Sequence, residues 1–208
     1  QEREIHGCRL VSVRSAEENQ VVMDQLTSWL KLHPVLARSA QELAGVRNGY
    51  ADFSKLGMDR WLALVAGYNL CRRACVVIDL GTAVTVDFVN AAGQHLGGYI
   101  APGSKLLRGS LKRHTRLIRY EQSLRGDLAL PQPGESTAEA VEFGCDLMLV
   151  GFVREQLRVA RHTLGEEMVV ILTGGDAERM AEALPQNCHI INDLVFDGLA
   201  LACPMEID

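Results

Sequence analysis

Paired cysteines, long apolar runs, prolines and aromatic residues are all scarce in this chain, and each scarcity argues against a class of protein. Cys8, Cys71, Cys75, Cys145, Cys188 and Cys203 form no Cys-x-x-Cys pair and keep no metal-ligand rhythm with the six histidines, which argues against a disulfide framework or a structural zinc site. The thiols read as reduced, small buried residues. No apolar run approaches the roughly 18 to 20 residues a membrane span needs, and no secretory leader is visible, so the expectation is a soluble, cytoplasmic protein. Only 6 prolines and 5% aromatics stand beside 48% hydrophobic residues, the balance of an ordinary globular chain rather than a disordered or fibrous one. A formal net charge of -5 excludes a basic nucleic-acid surface over the whole protein. With 208 residues there is material for one large domain or two small lobes.

What is present is organised around Cys75 to Asp87. Val76, Val77 and Ile78 read as a buried strand, Asp79, Gly81 and Thr82 as a tight turn, and Val84, Val86 and Phe88 as the inward set of a second strand, alternating with Thr85, Asp87 and Asn90. Gly81 lets backbone or ligand approach closely, and Asp79 and Thr82 place a carboxylate and a hydroxyl beside exposed N–H groups, a setting for phosphate plus cation. The same Asp-x-Gly-Thr pattern also occurs at aspartic-protease sites and in hairpins whose Asp bonds its own turn.

Upstream, Cys8 to Val13 reads as a strand, Ser15 and Glu18 as a capping box opening a helix to about Lys31, and Val35 to Ala37 as a second strand, the order of a parallel α/β layer. Val22, Leu26, Trp29 and Leu30 share one face of that helix. Residues 38–57 read as a long, glycine-containing loop, and such loops tend to bind ligands. Asp59 opens an apolar helix ending near Cys71, either as its cap or as a catalytic group, and Arg60 reads as surface charge or as a substrate ligand. Downstream, His95 to Ala101 is a third strand with Gly97 and Gly98 marking a close approach. Residues 105–119 carry seven basic side chains, counting His114, and no acidic one, which fits a solvated helix face, attraction for anionic substrates, or a nucleic-acid patch. Residues 124–134 read as a polar loop. Ser136 and Glu139 form a second capping box that leaves Thr137 as the first helical residue, and the apolar helix beyond it fits a core or a subunit interface. Met168 to Thr173 is a buried strand running into Gly174-Gly175-Asp176 before a short helix. Ile190 and Ile191 make a last strand, followed by a helix anchored by Leu194, Val195, Leu199 and Leu201.

Asn48-Gly49-Tyr50, Gly57-Met58-Asp59-Arg60-Trp61, Ile78-Asp79-Leu80-Gly81-Thr82-Ala83 and Leu172-Thr173-Gly174-Gly175-Asp176 stand in an order and spacing that resemble the type III pantothenate kinases. The resemblance implies an α/β fold of two ribonuclease-H-like (actin-like ATPase) lobes, with mixed sheets flanked by helices. The first lobe would be incomplete over residues 1–73, ending in the Asp59 helix, and the second would span 74–208. It implies ATP-dependent phosphorylation of pantothenate to 4'-phosphopantothenate, the first step towards coenzyme A. Asp59 would be the general base. Tyr50, Gly57, Met58, Arg60 and Thr137 would bind pantothenate, with the pocket completed across a homodimer interface. Asp79 would hold a monovalent cation, potassium or ammonium. Thr82 with Gly81, and Gly174 with Gly175, would contact ATP, which arrives with Mg. Neither membrane nor nucleic acid is expected as a partner. The family's N-terminal Asp-x-Gly-Asn-Thr phosphate loop has no match here, and with Gln1 in first place the expectation is that this segment is omitted from the sequence rather than lost from the molecule. A non-catalytic regulatory or nucleic-acid-binding relative and a phosphatase of the same superfamily are the competing readings.

Overall fold

The computed structural model describes residues 5–119, 133–184 and 188–205. Its centre is a five-stranded sheet of β5 (Cys75–Leu80), β6 (Ala83–Val89), β7 (His95–Pro102), β8 (Val169–Thr173) and β9 (His189–Ile190), in the order β7-β6-β5-β8-β9. Two tight connections make β5-β6-β7 an antiparallel meander, while β8 and β9 add to β5 in parallel after helical crossovers. Strand alternation then divides the core. Val76, Ile78, Leu80, Val84, Val86 and Phe88 face α4 (Thr137–Leu164) and α5 (Ala177–Glu182). Cys75, Val77 and Val89 face α2 (Met58–Cys71), which packs beneath α6 (Leu194–Ala202). Asp79 and Asp87 fall on the α2 side by the same alternation, although Asp87 was grouped with the outward polar residues of its strand.

The N-terminal portion follows the expected order, with β1 (Arg9–Leu10) paired in parallel with β2 (Val35–Leu36) across α1 (Ala16–Leu30). The capping box at Ser15 and Glu18 is present. The face expected to carry Trp29 is not buried: Trp29 is 76% exposed and α1 has no buried residue. Residues 38–57 are not a structureless loop, because a hairpin of β3 (Glu42–Leu43) and β4 (Val46–Arg47) and a short 3-10 helix (Phe53–Lys55) occupy them. Two residues at the hairpin tip, Ala44 and Gly45, have positive φ, the backbone that turns so short a ribbon. Residues 105–119 supply α3 (Ser104–His114) and a short tail. At the second cap the Ser136 hydroxyl accepts from the Glu139 N–H, but the Glu139 carboxylate reaches Glu135 rather than Ser136. Leu201 is 38% exposed and is not one of the anchors of α6. Most of the expected polar loop at 124–134 lies outside the described residues.

Candidate functional site

The site forms where the C-terminal end of β5 meets the N-terminus of α2. Asp79 is next to last in β5 and projects on the Val77 side, towards α2, and Asp59 sits in the first turn of that helix. Two negative groups are thereby placed at one end of the sheet. Burial first, and then the charge of Asp59, push the Asp79 carboxyl above the usual carboxylate range. Asp59 is not the helix cap. Gly57 takes that position without a side-chain bond, and the Asp59 carboxylate accepts from the Arg60 N–H at 2.8 Å while the rest of the side chain stays exposed. An α-helix that opens without a side-chain cap leaves first-turn N–H groups for a ligand.

Glycines press against Asp79 from two sides. A Cβ on Gly81 would come within 3.3 Å of Oδ1 of Asp79, and one on Gly174 within 2.5 Å of the same atom and 2.7 Å of the Leu80 backbone. Gly174 also has φ +88, so both its conformation and its surroundings exclude a side chain. Thr82 is exposed at the tip of the turn, and its carbonyl accepts from the Gly103 N–H at 3.0 Å. The N–H of Asp176 donates to the Leu80 carbonyl at 3.2 Å. Asp59, Asp79, Gly81, Thr82, Gly174 and Gly175 are thus gathered at one end of the sheet.

Arg60 is neither surface charge nor a free cation. It is 6% exposed and donates through Nε and Nη2 to both oxygens of Asp87, at 2.9 and 2.6 Å, and through Nη1 to the Tyr50 hydroxyl at 2.8 Å. His95 completes the network: Nε2 lies 3.0 Å from Oδ1 of Asp87, and Nδ1 accepts from the Gly49 N–H at 3.3 Å. That bond leaves Nε2 as the protonated nitrogen facing the carboxylate. Asp87 and His95 were not singled out in the sequence. A charged residue at an otherwise hydrophobic strand position, one residue from the inward Val86 and Phe88, is the signal that was there to be read.

Tyr50 opens onto a cleft of about 470 Å³ shared with Gly49, Gly97, Gly98 and Tyr99, and Gly57 and Met58 onto another of about 470 Å³ bordered by Arg14, Arg38 and Lys55. Thr137 is exposed at the start of α4, and it lines neither of these two clefts. The basic stretch is not one solvated face, since Arg108 is 7% exposed and paired with Glu142 and Asp146 of α4. Among the described residues no group of three His, Cys, Asp or Glu side chains is arranged to hold a metal ion, and no helix is long and apolar enough to cross a membrane.

Three antiparallel strands continued by two parallel ones, with helices on both faces, define an α/β protein of ribonuclease-H-like topology whose polar site lies at the C-terminal end of β5, the central strand. The same fold is seen in a Campylobacter jejuni protein described as a conserved putative Baf family transcriptional activator, with a TM-score of 0.56 at 18% identity over 94% of this chain and 82% of that one. The chain belongs to the type III pantothenate kinase family: the family's sequence model matches residues 1–159. It is 55% identical to the type III pantothenate kinase of Pseudomonas aeruginosa (strain LESB58), over 97% of this chain and 82% of that protein. The enzyme of the same name from Pseudomonas savastanoi pv. phaseolicola is also 55% identical, over 96% and 80%.

Proposed function

We propose that this chain transfers the γ-phosphate of ATP to the primary hydroxyl of pantothenate in the cytoplasm, giving 4'-phosphopantothenate. The observation that carries the reading is the juxtaposition of Asp59 with Asp79 at the head of a glycine-lined turn. A primary alcohol is a poor nucleophile, and a carboxylate within hydrogen-bond reach accelerates its attack by roughly 10²- to 10⁴-fold through accepting its proton. Asp59 suits that role because it is exposed and its carboxylate is fixed by the Arg60 N–H. The remaining catalysis is positioning and neutralisation of phosphate charge.

Thr82 and Gly81 on one side and Gly174 and Gly175 on the other form the nucleotide cradle, where bare backbone allows close approach. Tyr50, Gly57, Met58 and Arg60 hold pantothenate. Arg60 acts there largely through Tyr50, whose hydroxyl it fixes, and offers its remaining donors to the substrate carboxylate. A monovalent cation fits Asp79, a half-buried carboxylate whose charge is opposed by a second carboxylate and relieved by a hard, oxygen-seeking ion. That ion would neutralise charge where the phosphates lie, and Mg would enter with the nucleotide.

Thr137, which lines neither cleft in one subunit, fits a pocket completed by a second copy. Support for a homodimer comes from α4, whose solvent side carries two large apolar residues, Leu147 and Met148, 48% and 61% exposed. The test is incubation of the purified protein with ATP, pantothenate and potassium, followed by mass spectrometry of the products. A pantothenate-dependent gain of one phosphate supports the reading, and ATP consumption indifferent to pantothenate overturns it.

A further inference from the structure

Two turns meet the Asp79–Thr82 loop just past the strand ladders that set Pro102 beside Ala83 and Thr173 beside Asp79, and each adds one further backbone bond. Gly103, which precedes α3, donates to Thr82 at 3.0 Å, and Asp176, which precedes α5, donates to Leu80 at 3.2 Å. Beyond the last ladder pair, the backbone itself holds each turn by only that bond. The ring is closed by Ser104, whose hydroxyl donates to Oδ2 of Asp176 at 2.7 Å and whose side chain is 5% exposed. One helical turn further along, the two helices are joined again: Arg108 of α3 and Arg179 of α5 each donate to a different oxygen of Asp146 on α4, at 2.7 and 2.8 Å. Ser104 and Arg108, four apart, share one face of α3, so both links act on the same side of that helix. The approach of α3 is close, since a Cβ on Gly103 would stand 2.3 Å from the Gly81 carbonyl oxygen and 2.6 Å from that of Thr82.

We infer that Ser104 is a positioning residue for the nucleotide, its hydroxyl setting the span between the Gly81-Thr82 turn and the Gly174-to-Asp176 turn and occupying the Asp176 carboxylate. The inference rests on the reading of those two turns as the ATP cradle. Without the hydroxyl, the Asp176 carboxylate loses the donor that orients it beside the glycine pair, and the two turns lose the side-chain link that spans them beyond their strand ladders. The pantothenate side, built on β3, β4 and the start of α2, shares none of these bonds.

The test measures, on the full chain, the dissociation constant for a non-hydrolysable ATP analogue and the steady-state constants for ATP and pantothenate. Ser104→Ala is expected to weaken the analogue about five- to twentyfold and to raise KM for ATP in step, the loss of one charge-assisted hydrogen bond, with kcat and the pantothenate KM within about twofold. Ser104→Thr, which keeps the hydroxyl, is expected to stay within about twofold of the parent. Parent-like analogue binding by Ser104→Ala, an equal loss for both substrates, or a threonine variant as weak as the alanine one overturns the inference. If Ser104→Ala does not fold, Asp146→Asn, which loosens the second link without touching either turn, takes its place: a weaker analogue constant supports the ring as a positioning device and an unchanged one overturns it. A parent protein that binds the analogue but ignores pantothenate sinks the kinase reading alone, while one that binds no analogue removes both.

Discussion

Arg60 and Asp87 form a bidentate ion pair in which both side chains are almost fully buried, joining the helix that carries Asp59 to the middle of the central sheet. Removing one member of such a pair strands the other charge, and the usual loss is about 3–5 kcal/mol. Asp87→Ala is therefore expected to lower the unfolding free energy by that amount in urea titration. The double variant Arg60→Met with Asp87→Leu should recover the part owed to the stranded charge but not the part owed to His95, whose buried Nε2–H also loses its acceptor, and turnover should stay low because Tyr50 loses the donor to its hydroxyl. Equal destabilisation by the single and double variants would count against the pair as the cause.

Asp59 is exposed, and its one recorded bond, from the Arg60 N–H, is available equally to an amide oxygen. Asp59→Asn should then lower kcat by roughly 10²- to 10⁴-fold while leaving the unfolding midpoint nearly unchanged. Near-parent turnover would remove Asp59 from the reaction.

Asp79 binds its proton more tightly in the folded protein than in the unfolded chain, because burial and the Asp59 charge both disfavour its ionised form. Folding then takes up protons as pH rises above the ordinary carboxylate value, and this group's contribution to stability declines through the range up to its raised folded value. Potassium bound at Asp79, as proposed above, would oppose that decline. Thermal melts should show stabilisation by potassium over a matched large cation at pH 8 and less of it at pH 5, and Asp79→Asn should melt higher than the parent without potassium and ignore its addition. A potassium effect that survives Asp79→Asn would place the ion elsewhere.

A side chain at Gly174 has neither the backbone conformation nor the room it needs, with Oδ1 of Asp79 2.5 Å from the first added carbon. Gly174→Ala is expected to destabilise by about 1–3 kcal/mol and to damage ATP binding more than pantothenate binding. Calorimetry with each ligand separates the two.

Met148→Arg places a charge on the exposed apolar side of α4. Sedimentation velocity is expected to show a monomer where the parent sediments as a dimer, with activity falling in parallel if Thr137 acts across the interface. A parent that is monomeric at working concentration would refute the dimer reading.

The central sheet and its hairpin were legible because their patterns are local: alternation fixes each strand, and the Asp79-to-Thr82 turn announces its own geometry. The helix at Asp59 was readable for the same reason. The hairpin at Glu42 to Arg47 was not, since two-residue strands carry no periodicity, and its turn depends on Ala44 and Gly45 holding positive φ. Trp29 was misjudged because an amphipathic pattern states which face is apolar without saying what covers it. The fate of Arg60 and Arg108 depended on carboxylates distant in the sequence, Asp87 for one and Glu142 with Asp146 for the other, and charge counting along the chain cannot find such partners.

The parallel pairing of β8 with β5 sets Thr173 beside Asp79, although β6, β7, α3 and α4 lie between them in the chain. The glycine pair therefore leaves the ribosome long after the turn it must meet. During synthesis, the meander of β5 to β7 has local contacts sufficient to form early, whereas the meeting of the two glycine turns waits for a non-local strand to close, and that kind of closure is intrinsically slow. A nascent or C-terminally truncated chain would display Asp79 and the apolar faces of β5 without the second glycine turn, which makes the last third of the polypeptide the gate between a folding intermediate and the finished sheet.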